Sequence, residues 1–552
     1  MRCFSENISF VNVLFFLLPV LGLCEIAYGD QAPLGADRDQ GDRATRVAII
    51  GAGPAGASTA YYLRKHVDSS TIPVDITVFE RSAGVGGRTT TVNVFDDPSL
   101  PVELGASIFV EVNEILMNAS KEFDLDITLV DDDCPKEARN TLGIWNGAEF
   151  VYTYENSGYY WWDVAKLLWK YGMSPIRTQK LMKSTVGKFL EMYKQPHFPW
   201  KSLSTVALNV GLVNSTAATG AEFLKKNGIS DTFSQEIIQA STRVNYGQNL
   251  PLIHGLETMV CMATDGAHAV KGGNWQIFDS MVRKSRAEMK LNATVSEINR
   301  NHNGTYTIHY LSDSEPEQDT FDHVVLATPL QFSDIDINPT LKHTPDVIPY
   351  VQLHVTLFSS PHRLSPRFFN LPSESSAPRV VLTTLPSDLD LGNKKEGVGP
   401  AGFWSVSTLK SVPPPRNNDT DNQDSEPHYV YKIFSPEPVT ADFMANLLGI
   451  ESQHDHLRDN ATSGTIADIS QKYISWYHKK VWDSYPYLYP RVTFEEVELD
   501  TNFWYTSGME SFISTMETSA LSGMNAASLV FNRLVKDFGL LSDSWNWEKI
   551  EL

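Results

Sequence analysis

The sequence predicts an α/β fold in which a Rossmann-like domain is assembled discontinuously, from separated stretches of chain, with an α+β domain built over it. Three observations predict it. A β-run at Val47 to Ile50 enters a glycine turn that opens a helix; strand character returns far downstream at Val324-Val325-Leu326; and Ser519 to Leu534 reads as a helix with small residues for close packing. The 552 residues are 42% hydrophobic, enough for the cores of two or three domains at roughly 100 to 200 residues each.

The first element, Arg46 to Ile50, runs into Gly51-Ala52-Gly53-Pro54-Ala55-Gly56 and the helix Ala57 to Lys65. Gly51 permits the tight turn, Gly53 lets backbone amides approach a pyrophosphate, and Gly56 lets the helix pack on the strand. The second strand, Asp75 to Phe79, ends in Glu80, an acid placed to accept hydrogen bonds from ribose hydroxyls. Strand, turn, helix, strand and acid in this order point to a dinucleotide.

Which dinucleotide follows from Arg81-Ser82-Ala83-Gly84-Val85-Gly86-Gly87-Arg88-Thr89. Glycines and an arginine directly after the acidic strand resemble the second phosphate-contacting loop of flavoproteins of the amine oxidase and glutathione reductase type, which predicts FAD. Gly86 and Gly87 would let the backbone close on the cofactor, and Arg88 would offer a fixed cationic fork to phosphate. The plainer alternative is a surface turn with a solvated arginine.

Two later strands fit the same domain: Thr294 to Ile298, where the Val295 backbone could meet the adenine, and Val325-Leu326-Ala327-Thr328-Pro329, which would return beneath the cofactor. Either alone could be plain core strand. Further on, Trp504 to Glu510 leads into Ser514 to Ala527, a Ser-, Thr- and Gly-rich helix start whose amides and dipole could reach the cofactor. A well-capped core helix is the alternative.

These C-terminal residues resemble the prenylcysteine oxidase family, also called prenylcysteine or farnesylcysteine lyases, and the likeness extends over nearly the whole chain after residue 29. It is carried also by Glu103-Leu104-Gly105-Ala106-Ser107-Ile108-Phe109, Arg243 to Gln248, Val270-Lys271-Gly272-Gly273-Asn274 and Tyr350 to Phe358. Agreement is looser from Gly255 to His268. The resemblance adds Gly105, Ala106, Ser107, Glu517 and Ala520 to the expected cofactor-binding residues. It implies a substrate of prenylated cysteine, water and oxygen, converted to prenyl aldehyde, cysteine and hydrogen peroxide. Sulfur and alkene would share the positive charge as the carbon between them loses hydride, water would add, and the hemithioacetal would collapse. No strong catalytic base is required, so His254, Asn274 and His354 stand only as candidate catalytic groups. A flavin amine oxidase and a catalytically silent FAD-binding paralogue are the competing functions.

No Cys follows Cys261, so a C-terminal cysteinyl linkage cannot form and FAD is expected to be held non-covalently. Of the four cysteines, Cys3 and Cys24 fall in a segment that reads as an export signal, leaving Cys134 and Cys261, too few for a disulfide framework or a Cys-rich metal site. That segment combines Arg2, the apolar run Phe10 to Leu23 and the small-residue site Ala27-Tyr28-Gly29, with an uncleaved anchor as the alternative. Sequons at Asn118, Asn214, Asn292, Asn303, Asn418 and Asn460 suit an exported glycoprotein, and the resemblance points to lysosomes, with an extracellular destination open. A formal net charge of -21 argues against nucleic acid as a partner. The aromatic run Tyr159 to Tyr171 could line an isoprenoid tunnel, touch a membrane surface, or simply be core.

The expected organisation is a signal peptide at 1–29, a leader at 30–44, FAD-binding parts at 45–135, 265–330 and 495–540, substrate-domain parts at 136–264 and 331–494, and a tail at 541–552. Ser373 to Pro378 and Val412 to His428 read as surface loops. No metal site is expected.

Overall fold

The structure, a computed structural model, describes residues 43–129, 141–155, 160–264, 266–395, 397–415, 426–450 and 464–540. The expected export signal, most of the leader, the tail, Cys134, Tyr159, Asn418 and Asn460 lie outside the described residues.

A six-stranded sheet runs in the order Glu498–Asp500, Phe503–Tyr505, His323–Leu326, Thr45–Ile50, Val74–Phe79, Glu288–Lys290. All its neighbours pair in parallel except the first two. The run Val47-Ala48-Ile49-Ile50 is continuously apolar because the strand is buried on both faces. Val47 and Ile49 point into a core shared with the Pro54–Asp68, Trp275–Ser285 and Met516–Asp537 helices, whereas Ala48 and Ile50 meet a second, four-stranded sheet. The first and last of these helices touch backbone to backbone: a Cβ on Gly523 would lie 2.1 Å from the Ala55 carbonyl oxygen. Ser58 Oγ donates to the Ala520 carbonyl across this contact (2.6 Å).

The return strand follows another strand after a single residue. Glu315–Phe321 closes the four-stranded sheet and His323–Leu326 enters the six-stranded one. The hinge is Asp322, whose carboxylate accepts from the Arg46 backbone N–H (2.8 Å) and so ties the crossing to the first strand.

Above this half stands a seven-stranded sheet, ordered Trp476–Pro486, Tyr350–Ser360, His428–Ser435, Ser405–Val412, Val380–Thr383, Thr141–Trp145, Phe150–Glu155. One face carries Leu353, Val355 and Leu357 against Val94, Val102 and Leu104 of the lower half. The other carries Phe358, Tyr431 and Ile433 against the Ala441–Leu448 helix. Period-two alternation along Tyr350–Ser360 separates these two sets. Among the described residues, no helix is long and apolar enough to cross a membrane.

Candidate functional site

The site forms where the parallel strands end. Gly51 takes φ +103, and a Cβ there would lie 2.8 Å from the Ala327 carbonyl oxygen; at Gly56 it would lie 1.9 Å from the Gly51 carbonyl oxygen. Turn, helix and return strand are therefore in backbone contact. Ala327 N–H donates to Ile50 O (2.8 Å), and Thr328 stands beside Gly51, so both predicted residues sit over the turn. Pro54 begins the helix and Ala55 is buried in its first turn.

The two glycine loops face each other. Gly86 N–H donates to Ala52 O (3.0 Å), and Thr89, buried, closes its own turn on Gly86 O (3.0 Å). A Cβ on Gly53 would touch Gly86 O and Gly87 Cα, both at 4.0 Å, and one on Gly87 would lie 3.2 Å from Gly53 Cα, so only glycines let the two loops pack this closely beside a helix N-terminus. Glu80 is buried below it, its Oε2 accepting from Ala52 N–H (2.9 Å) and its Oε1 from Ser82 N–H and Oγ–H (2.9 and 2.7 Å). These occupy three of a carboxylate's roughly four acceptor positions, leaving capacity for a ribose hydroxyl. The glycine turns, the helix N-terminus and the Glu80 carboxylate fit the adenosine and pyrophosphate of FAD. Val295 is buried in the Ala293–Arg300 strand of the adjoining sheet.

Other predicted residues have protein partners. The Arg88 fork is engaged by Glu510 Oε1 (2.5 Å) and Ser484 O (2.6 Å), and Tyr350 donates to the same carboxylate (3.2 Å); it braces the two halves instead of offering a free fork to phosphate. Arg81 reaches Phe332 O (3.4 Å) at the surface. Glu517 turns away from the cradle: its carboxylate accepts from Ile115 and Leu116 N–H (2.9 and 3.0 Å) and from the Tyr193 hydroxyl (2.9 Å). It supplies the cap of the Glu114–Glu122 helix. Ala520 packs on the first helix through the bond described above. The N-cap of the C-terminal helix is Thr515, closed by a capping box with Thr518.

The Glu103–Ser107 loop crosses the junction of the halves. Asn274, fully buried, donates through Nδ2 to Ala106 O (2.8 Å), accepts from Val270 N–H (2.8 Å), and offers its own N–H to Glu103 Oε1 (2.7 Å). Ala106 adopts φ +44 within this clamp. From the upper sheet Lys432, only 9% exposed, donates to Ser107 Oγ (2.7 Å) and Glu103 O (3.1 Å), while Trp482 lies 3.1 Å from where a Gly105 Cβ would stand. Burial pushes the Glu103 carboxyl up and the Lys432 ammonium down, each opposed by the other's charge. Lys432 was missed in the sequence. Its signal was a lysine between Val430 and Phe434 on the apolar side of the strand His428–Ser435.

The candidate histidines are not brought to this loop. His254 is fully buried and caps the Gly255–Met262 helix, its Nδ1 accepting from Glu257 N–H (3.1 Å), and burial holds it neutral with a pKa lowered to about 4. His354 pairs with Ser435 and alternates with Leu353 and Val355, which puts it on the sheet face opposite Lys432. Asn118, Asn214, Asn292 and Asn303 are exposed. Cys261 is a free, buried thiol, and the described residues contain no cluster able to hold a metal ion.

Fold and paired glycine loops define the class: a two-domain Rossmann-type FAD-dependent oxidoreductase. Solved structures of this architecture include a putrescine oxidase variant (13% identity, TM-score 0.53, 89% of this chain and 99% of that one) and cyclohexylamine oxidase from Brevibacterium oxydans (15%, 0.51, 89% and 100%). A fatty acid isomerase from P. acnes also shares it (13%, 0.51, 90% and 98%). At these identities the likeness is one of fold. Residues 49–123 match the NAD(P)-binding Rossmann-like domain, and residues 154–543 match the prenylcysteine lyase model. The chain belongs to the prenylcysteine lyase family. It is 29% identical to the farnesylcysteine lyase of Arabidopsis thaliana (96% of each chain covered) and 27% identical to human prenylcysteine oxidase 1 (100% and 99%). A bovine protein called prenylcysteine oxidase 1-like is 24% identical (90% and 92%).

Proposed function

We propose that this protein oxidatively cleaves the thioether of prenylcysteines such as farnesylcysteine and geranylgeranylcysteine in the degradation of prenylated proteins. Prenylcysteine, water and oxygen give prenyl aldehyde, cysteine and hydrogen peroxide. The observation that carries the reading is family membership along most of the chain, with relatives of that activity by name aligned from end to end. Bound FAD supplies the two-electron acceptor for the carbon between sulfur and alkene.

The chain's own groups bind and orient. The Gly51–Gly56 and Gly86–Gly87 loops would hold the pyrophosphate and Glu80 the ribose, with Ala327 and Thr328 closing the turn beneath them. Asn274 and Lys432 fix the Glu103–Ser107 loop from opposite sides, ready to line the flavin site. Arg88, Glu510 and Tyr350 fasten the upper sheet to the lower one. Neither His254, neutral and used as a cap, nor His354, on the far face, is placed to move a proton there, and loss of hydride beside sulfur needs no such group. The cofactor half comprises 45–135, 265–330 and 495–540, and the substrate half 136–264 and 331–494.

The exported, N-glycosylated assignment rests on the apolar N-terminal run and the exposed sequons, and the lysosomal one on the resemblance to the prenylcysteine oxidases. Trp169, 93% exposed, and Met173, 53% exposed and just past the end of the same helix, support a peripheral lipid contact. The test is stoichiometry: farnesylcysteine should yield thiol, aldehyde and peroxide in equal amounts, and putrescine none. Peroxide from amines but not from farnesylcysteine would favour an amine oxidase instead.

A further inference from the structure

Away from the cofactor cradle, the upper half holds an apolar cavity of about 130 Å³. Its walls include Leu142, Ile144 and Leu382 of the seven-stranded sheet, Met182 of the Ser174–Leu190 helix, and Ile237 of the π-type turn Ser234–Ile238. Met262 and Thr264 close it on the side of the Gly255–Met262 helix. An apolar cavity of about 150 Å³ stays dry and accepts benzene, six carbons, so this one matches a single five-carbon isoprene unit. Methionine walls adapt to such a branched guest, and π-type turns recur at binding sites.

Two independent relations bound its distance from the Glu103–Ser107 loop. In the sheet, Leu142 pairs with Val380, Val380 with Ser407, and Ser407 with Lys432, the residue bonded to Ser107. Residues paired in register share a face, so the cavity wall and Lys432 lie on the same side, three strand spacings or about 14 Å apart. Along the chain, Thr264 of the wall is four residues from His268, whose backbone pairs with Phe109 just beyond the loop; four residues span at most about 14 Å. A farnesyl chain, about eleven carbon–carbon bonds advancing roughly 1.25 Å each, reaches the same distance from its sulfur-bearing carbon.

We propose that this cavity seats the third isoprene unit of the substrate, counted from sulfur, its open side leaving room for the fourth unit of a geranylgeranyl chain. The inference rests on the prenylcysteine reading. Its test compares farnesylcysteine with geranylcysteine, which carries the same reacting thioether but lacks the third unit. Wild-type protein should prefer farnesylcysteine in kcat/KM by about 10- to 100-fold. Ile237→Trp and, separately, Met182→Phe should erase that preference by lowering the farnesylcysteine value, with geranylcysteine kept within about threefold and flavin absorbance intact. Preference that survives in both filled variants, or an equal loss on both substrates, overturns the inference while leaving the reaction standing. Wild-type protein inert on both substrates overturns the reaction itself.

Discussion

The glycine turn at Gly51–Gly56 and the loop at Glu103–Ser107 are assigned to the same cofactor, yet they are held in opposite ways. The turn is shaped by backbone alone: a missing Cβ at Gly51 and Gly56 allows contacts that no other residue type permits. The loop is shaped by side chains brought from elsewhere, Asn274 from 168 residues and Lys432 from 325 residues away. Steric necessity leaves a trace in sequence, whereas a distant hydrogen-bond partner does not. The first region should therefore fail by losing the cofactor, and the second by keeping it in a poorly ordered site.

The largest effect is expected in the cradle. Gly53→Glu places a carboxylate at the helix N-terminus beside the Gly86–Gly87 loop, its Cβ in ordinary contact and without a backbone clash, so FAD affinity should drop by at least 100-fold while the melting temperature of the FAD-free protein stays put. Titration of FAD into both proteins, followed by flavin fluorescence, measures it. Equal affinity would show that the pyrophosphate lies elsewhere. Glu80→Ala comes next: loss of the ribose contact and of the ties to Ala52 and Ser82 should weaken FAD by about tenfold and destabilise the protein by about 1–3 kcal/mol.

Lys432→Met should invert this pattern. FAD should bind within about threefold of wild type, but kcat/KM on farnesylcysteine should fall by about tenfold, because Ser107 and the Glu103 carbonyl lose their donor. Lys432→Arg should restore part of it. A variant that loses FAD as completely as Gly53→Glu would erase the distinction between the regions.

The smallest effect concerns the buried Glu257, whose carboxyl burial raises from its ordinary value near 4.5 to about 8, against opposing hydrogen bonds from Tyr246 and Ser514. The folded protein then holds a proton that the unfolded chain releases between those values. Its contribution to stability is complete below pH about 4.5 and is lost as pH rises through about 8. Wild type should accordingly lose at least about 2 °C of melting temperature across that window relative to Glu257→Gln, which cannot titrate. Parallel melting curves for the two proteins would contradict this assignment.

Sequence alone made the fold of the Rossmann half legible. The turns around Val47 to Gly56, Glu80 and Gly86-Gly87 could be read because each residue type is demanded locally, by φ, by contact or by position at a strand end. For Glu517 and Arg88 the sequence did not reveal the protein partners that engage them. Whether a carboxylate at a helix start faces a ligand or caps another helix depends on Ile115 and Leu116, some four hundred residues distant. His254 and His354 drew notice as residue types, and only the helix cap and the register of Tyr350–Ser360 reveal what surrounds them. The isoprene cavity was outside the reach of motif reading, since its walls come from strands and helices spread over residues 142 to 382.

The central claim is that the bound cofactor takes electrons from a prenylated cysteine, and anaerobic mixing tests it most directly. Yellow holoprotein mixed with excess farnesylcysteine in the absence of oxygen should lose its oxidised-flavin absorbance and regain it when air is admitted. Absorbance that holds steady through the anaerobic incubation would contradict the account and leave an FAD-binding protein of another function.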